Sequence, residues 1–297
     1  MNGILLLDKP LHVSSAGAVA RAKHLFRARK AGHTGSLDPL ATGMLPICFG
    51  EATKFGAQLL DADKTYRVTL RLGERTPSAD LESAVVETRD VPPFSEDQLR
   101  EALASFPRVY QQIPPMHSAL KQDGKPLYEY ARAGITRERA ARTVTIHEMT
   151  LIEWRRPDLV FDVHCTKGAY IRVLGEDLAA HVHTIGYLKA LRRLGVAPFG
   201  SAPMWTFDAL AELSAQHLGE LLLPVDAALC AWRRLDLSAD RVNDIRQGRS
   251  IVLAGGSADS EPGPVRLYAD GLGFLGLGEI EPAGRLVPRR LIALGCE

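Results

Sequence analysis

Asp38 stands in the most specialised stretch of the chain, GHTGSLDPLATGMLPICFG at positions 32–50. An aspartate in water is ionised at neutral pH, so it can serve as a nucleophile or a base. Pro39 restricts the backbone of the residue before it, which gives that carboxylate a defined direction. Glycines at 32, 35, 43 and 50 permit tight backbone geometry and close approach. Local composition alone also fits a turn in which Asp38 bonds nearby backbone N–H groups. A phosphate cradle fits less well, because GHTGS lacks the GxxxxGK[ST] order and its lysine. Asp80 is a second carboxylate that could pair with Asp38 in a glycoside or nucleoside hydrolase. Metal chemistry finds little support: Cys48, Cys165, Cys230 and Cys296 are far apart without a CxxC. His181 and His183, two apart on an expected helix, would face different sides.

The elements that must carry these groups can be read from periodicity. GILLLDKP, residues 3–10, reads as a short buried strand ending in a charged turn, with Lys9 as a surface charge or a phosphate contact. Ser14 or Ser15 caps a helix carrying Val19, Ala22, Leu25 and Phe26 on one side. Arg21, Lys23, His24, Arg27, Arg29 and Lys30 then lead into the Asp38 loop, as an RNA-binding stripe would. KTYRVTLRLG, residues 64–73, alternates as a strand, with Tyr66, Val68, Leu70 and Leu72 inward. A polar loop, ERTPSADLES, follows. Ser95 and Gln98 form a capping box before a helix burying Leu99, Ala102, Leu103 and Phe106. Tyr128 and Tyr130, in a segment with paired prolines, fit core packing and base stacking equally. Strands over 142–154 and 159–165 precede Gly168, after which Ile171, Leu174, Leu178 and Val182 have helical spacing. Beyond residue 233, short alternating runs between Asp-Gly and Pro-Ala-Gly turns suggest a small β-barrel.

Composition sets outer limits. A chain of 297 residues with 46% hydrophobic content can bury a large core. Its net charge of +1 leaves any nucleic-acid surface to local clustering. Apolar runs such as ILLL are too short to span a membrane, and Met1-Asn2-Gly3 shows no signal-peptide pattern. A cytoplasmic protein is expected.

The run GHTGSLDPLATGMLPICFGEATKF closely resembles the catalytic motif of the TruB family, the bacterial tRNA pseudouridine-55 synthases. The resemblance implies that Asp38 is the essential catalytic residue. KTYRV matches the family's second signature, which implies that Tyr66 stacks on the target base and assists proton removal from C5. KGAYIR matches the third, implying that Arg172 pairs with the aspartate and that Tyr170 contacts substrate. In the family's TDTxDxxG run Thr76 and Asp80 match, so Asp80 is a further expected substrate contact, while Pro77 and Ser83 depart. LKALRRLGVAPFG places Leu191 beside the base, and His33 is expected to fill the space that a flipped base vacates. The family also places the segment containing Lys9 near the active site, favouring a phosphate contact.

The resemblance covers nearly the whole chain. It implies an α+β fold: a catalytic domain, residues 1–232, with a mixed, mainly antiparallel sheet flanked by helices, and a PUA-like RNA-binding β-barrel over 233–297. The implied partner is the T-arm of tRNA, with no cofactor, no metal, no protein partner and a monomeric state expected. A tRNA-folding role that rests on affinity alone uses the same basic face and can coexist with catalysis. A guide-RNA-dependent rRNA synthase fits less well, because the chain lacks a long lysine-rich tail.

Overall fold

A computed structural model describes residues 1–118, 120–253, 261–282 and 284–293, so Cys296 lies outside the described residues. Eight strands form the central sheet: β1 (Gly3–Lys9), β2 (Ala31–His33), β3 (Ala41–Phe49), β4 (Lys64–Leu72), β5 (Val109–Gln112), β6 (Arg142–Arg155), β7 (Asp158–Cys165) and β8 (Gly186–Val196). Their order is β1-β3-β8-β4-β7-β6-β5, with β2 also beside β3. Only β8 with β3 is parallel, which makes the sheet mixed and mainly antiparallel as expected.

Alternation does what the pattern of β4 requires. Tyr66, Val68, Leu70 and Leu72 are buried, while Arg67 and Arg71 on the other face pair with Asp162 and Asp158 of β7. Helices α1 (Ser15–Leu25), α2 (Glu96–Ser105) and α3 (Ile171–His181) supply further apolar surface to the core. Ser14 caps α1 by accepting a bond from the Gly17 N–H, and Ser95 with Gln98 closes the expected capping box on α2. One expectation is corrected here. His183 lies beyond the end of α3 at a φ of 61°, so it and His181 do not share a helix.

The polar loop read over residues 74–83 is solvated only in part. Glu74–Arg75 pairs with Glu87–Thr88, and the chain between them buries Thr76, Ser78 and Asp80. Thr76 Oγ1 donates to the Asp80 carbonyl at 2.7 Å, and Ser83 Oγ accepts the Ser78 N–H at 2.9 Å. The departure at Ser83 therefore contributes a bond that closes the loop.

A second, smaller sheet follows: β9 (Arg233–Leu237), β10 (Ile251–Val252), β11 (Gly263–Ala269), β12 (Gly273–Glu281) and β13 (Arg285–Leu291), with α4 (Ala239–Arg246) after β9. Its order is β9-β11-β12-β13-β10, and among the described residues the outer strands do not pair with each other. The sheet is thus a curled half-barrel around Leu235, Ile245, Leu267 and Leu286. It is tied to the larger body by Lys54 Nζ donating to the Leu291 carbonyl at 2.9 Å and by Phe55 against Phe274.

The functional cleft begins where β3 divides its outer edge. Ala41 to Gly43 pair with β8, whereas Ile47 to Phe49 pair with β2. Gly43 has a φ of +96°, and a Cβ there would overlap the Arg193 backbone on β8. Gly43→Ala is expected to cost at least about 2 kcal/mol, combining backbone strain with a clash, and a denaturant midpoint measures it.

Candidate active site

Asp38 sits in the loop between β2 and β3, and its two neighbours in sequence are pinned from opposite sides. Ser15 Oγ donates to the Leu37 carbonyl at 2.9 Å and accepts the Leu37 N–H at 2.8 Å. On the other side the Pro39 carbonyl accepts the His12 N–H at 2.8 Å and Lys9 Nζ at 3.4 Å. With Leu37 and Pro39 held, the Asp38 carboxylate has little freedom except at its own χ angles. Its side chain is 45% exposed and faces a cavity of about 270 Å³.

Arg172, in the first turn of α3, stands behind it. Its side chain is 7% exposed, and Nε lies 3.1 Å from Asp38 Oδ2 and 3.7 Å from Asp80 Oδ2. The two terminal nitrogens donate to the carbonyls of Ser78 at 3.1 Å and His117 at 2.6 Å. The guanidinium fork is therefore engaged on every nitrogen, an arrangement that only a planar donor set can satisfy. Asp80 is itself held by the Glu82 N–H at 2.9 Å. The bonds from Arg172 to the 74–85 loop and to the 112–134 segment join three loops around one cation.

Tyr66 and Leu191 line the cavity with Asp38, Tyr170 and Arg172. Burial pushes the Tyr66 phenol above its ordinary pKa, and the nearby Arg193 guanidinium pulls the other way. Tyr170 is placed by Gln112, whose amide accepts the Tyr170 N–H at 2.7 Å and donates to its carbonyl at 3.1 Å. Tyr128 and Tyr130, on the short helix Leu127–Arg132, are half-buried beneath Arg132 and Arg137, and neither lines this cavity.

The fold thus brings Asp38, Tyr66, Tyr170, Arg172 and Leu191 together around one cavity. Three other expected residues sit differently. Lys9 is fully buried, and its ammonium donates to the Val13 carbonyl at 2.6 Å and the Pro10 carbonyl at 2.9 Å as well as to Pro39. This corrects both sequence-based readings: the ammonium is neither a surface charge nor open to a phosphate, because loop carbonyls consume it. Asp80 is buried behind Arg172, where it positions the cation. His33 is half-buried on β2 and outside the cavity lining, with burial and Arg193 lowering its pKa.

Sequence reasoning offered Ser15 only as a possible helix cap, not as the tie to Leu37, and missed Gln112 and Arg193. Ser15 and Gln112 carry no local signal, since their partners are 22 and 58 residues away. Arg193 had one: it is two residues from Leu191, so strand periodicity puts both on the same face.

For metal binding, the described residues offer one grouping that sequence spacing does not suggest. Asp63, His147 and His164 have ligand atoms within 4.8 Å of one another. A bulge between Ile146 and Glu148 turns His147 towards this group, and its Nε2 lies 2.9 Å from Asp63 Oδ2. That hydrogen bond joins Asp63 to His147, and the His147 and His164 rings lie 4.7 Å apart at their centroids.

Three family models match successive parts of the chain. The N-terminal domain of TruB family pseudouridylate synthases matches residues 23–171, the tRNA pseudouridylate synthase B C-terminal domain matches 172–230, and the pseudouridine synthase II TruB C-terminal model matches 234–292. A tRNA pseudouridine synthase B from Nitrosococcus oceani is 47% identical over 98% of this chain and 95% of its own length. The Yersinia pestis protein of the same name is 45% identical over 100% and 94%. Among solved structures, a Cbf5–Nop10–Gar1 complex aligns with TM-score 0.70 at 23% identity, covering 93% of this chain and 78% of the other. An H/ACA RNP bound to a substrate RNA containing 2′-deoxyuridine aligns with TM-score 0.69 at 21% identity, covering 98% and 85%. At such identities the structural likeness speaks for the fold alone.

Proposed function

The chain belongs to the TruB family of pseudouridylate synthases, and from that membership we propose that it converts the uridine at position 55, in the T-loop of tRNA, to pseudouridine. The observation that carries this reading is Asp38. Its carboxylate is half-exposed at a base-sized cavity, fixed from behind by a buried guanidinium, with an aromatic ring in the same wall.

The target uridine must leave the stacked loop, at a cost of roughly a few kcal/mol. Stacking on Tyr66, worth about 1–3 kcal/mol, offsets much of that, and Leu191 closes the other side. The C1′–N1 bond then breaks, and its electron pair stays with the uracil ring. Asp38 meets the change by attacking C1′, by adding to C6 of the base, or by taking a proton from C2′. The ring turns and its pair forms C5–C1′ as Asp38 is released from C1′ or C6, or as the proton returns to C2′. The C5 proton then leaves with help from Tyr66, and N1 takes up a proton in its place. Electrons balance within the substrate, so the reaction consumes no oxidant or reductant. The exposed cations on and after α1, Arg21, Lys23, Arg27, Arg29 and Lys30, supply a surface for the RNA backbone.

Incubation with a T-arm stem-loop RNA carrying tritium at uridine C5, without added metal or nucleotide, tests the proposal. Tritium release with pseudouridine at one loop position is the expected result. RNA binding without tritium release would favour the tRNA-folding reading, and free uracil would indicate a hydrolase. The hydrolase is disfavoured because Asp38 and Asp80 share the same guanidinium nitrogen instead of flanking a substrate bond.

A pH experiment addresses the loop. Burial lowers the ammonium pKa of Lys9 and of Lys64 to about 8, with Arg193 adding to both. The single-turnover rate is expected to fall as pH rises through about 8, where Lys9 loses the charge that grips the Asp38 loop. Stability should change in the opposite direction. Between pH 8 and the ordinary value of 10.5 the unfolded chain binds more protons than the folded one, so these lysines make folding more favourable as pH rises. A rate that stays flat to pH 9 would separate catalysis from the Lys9 charge.

A further inference from the structure

Arg193 is 1% exposed, yet it lines the candidate cavity. It is the cross-strand neighbour of Tyr66, so both side chains leave the same face of the sheet. Its Nε donates to the Met44 carbonyl at 2.6 Å, and one terminal nitrogen donates to the Gly35 carbonyl at 3.1 Å. Its charge also works against the rise in the Tyr66 phenol pKa that burial causes. Among the described residues no carboxylate comes within 4.0 Å of it. Arg172 offers the contrast, since Asp38 and Asp80 face it directly.

A buried cation without a contacting carboxylate is costly. Of the other buried cations nearby, Lys9 has Asp38 to offset it and Lys64 has Asp63 and Asp61, whereas Arg193 has no contacting carboxylate among the described residues. Carbonyl groups satisfy donors but do not neutralise charge. Such an arrangement is complementary to an anion that is absent from the resting protein and appears when the site is at work.

We propose that Arg193 stabilises the negative charge that the uracil ring acquires during isomerisation. The inference rests on the isomerase reading, and it holds for each way in which Asp38 could act. Loss of N1 from C1′ leaves the bonding pair on the ring, whether Asp38 attacks C1′ or deprotonates C2′. Addition of Asp38 to C6 places the pair on C5 and O4. In every case the ring becomes anionic before C5 joins C1′, and the negative charge disappears when that bond forms; the C5 proton is then lost and N1 gains one, so the product ring is neutral. Arg193, fixed by two carbonyls from the strand and loop that carry Gly35 and Met44, needs no reorganisation at that moment. Its field acts on the ring and favours the charged state over the neutral base.

Single-turnover measurements with two T-arm stem-loop RNAs test this, one with uridine and one with 5-fluorouridine at the target position. Fluorine at C5 stabilises the ring anion intrinsically, so less help is required from the protein. Arg193→Met is expected to slow consumption of the uridine RNA by about 10²–10³-fold. It should slow the 5-fluorouridine RNA at least tenfold less. Arg193→Lys, which keeps a charge but not the fork, should fall between parent and Met. Circular dichroism and thermal unfolding establish that each variant is folded, and the Lys variant carries the comparison if the Met variant is not. Equal slowing of both RNAs by a folded variant would make Arg193 a packing residue and overturn the proposal, as would no slowing. If the parent itself forms no pseudouridine, it is the isomerase reading that fails.

Discussion

Asp38→Asn is expected to reduce tritium release from the T-arm RNA by at least about 10³-fold, a barrier increase of about 4 kcal/mol, while RNA affinity stays within a few-fold of the parent. The substitution keeps the size and one hydrogen-bond acceptor of the side chain, so the Leu37 and Pro39 pins should hold the loop in place. What it removes is the negative charge. An amide is neither a competent nucleophile towards C1′ or C6 nor a base for C2′. Stability should change little, because the carboxylate is 45% exposed and Arg172 retains Asp80. Tritium release, filter binding and thermal unfolding on the same preparation separate these effects. Turnover near the parent's would reject all three roles for Asp38 at once.

Arg172 should show the opposite division between activity and stability. Arg172→Met leaves the buried Asp80 carboxylate without its cation and strips the Ser78 and His117 carbonyls of their donors. Removing one partner of a buried pair costs about 3–5 kcal/mol, which a denaturant midpoint would register. Arg172→Lys retains charge but presents a single nitrogen to acceptors now served by three. It should stay folded and lose roughly 10²-fold in rate, the scale expected when a reacting group is displaced by about 1 Å. A lysine variant at parental rate would mean that charge alone, without the fork, positions Asp38.

Much of this architecture was legible in order along the chain. The alternation of residues 64–73 identified β4 and the inward face of Tyr66, and the capping box at Ser95 located α2. The Asp38 motif and KGAYIR carried the family resemblance. These features are local: period, cap and turn chemistry act between residues a few positions apart.

No helix among the described residues is long and apolar enough to cross a membrane, as the short apolar runs suggested. Side-chain roles were harder. Lys9 reads as a charge for a surface or a phosphate, and only the folded loop shows that three carbonyls surround it. Asp80 reads as a second catalytic carboxylate or a substrate contact, and only the closing of its loop buries it behind Arg172.

By itself, then, the sequence determined part of the framework, namely β1, β4, β6, β7 and helices α1 to α3, together with the loop that presents Asp38 and the family to which the chain belongs. Tertiary structure alone decided which charged groups face the cavity and which serve as internal ties. Arg193 meets the Met44 carbonyl across 149 residues and Arg172 meets Ser78 across 94. The physical reason is that a charge's role depends on its burial and on its nearest partner. Both are set by which distant strands pair, here β3 with β8, and no local period encodes that choice.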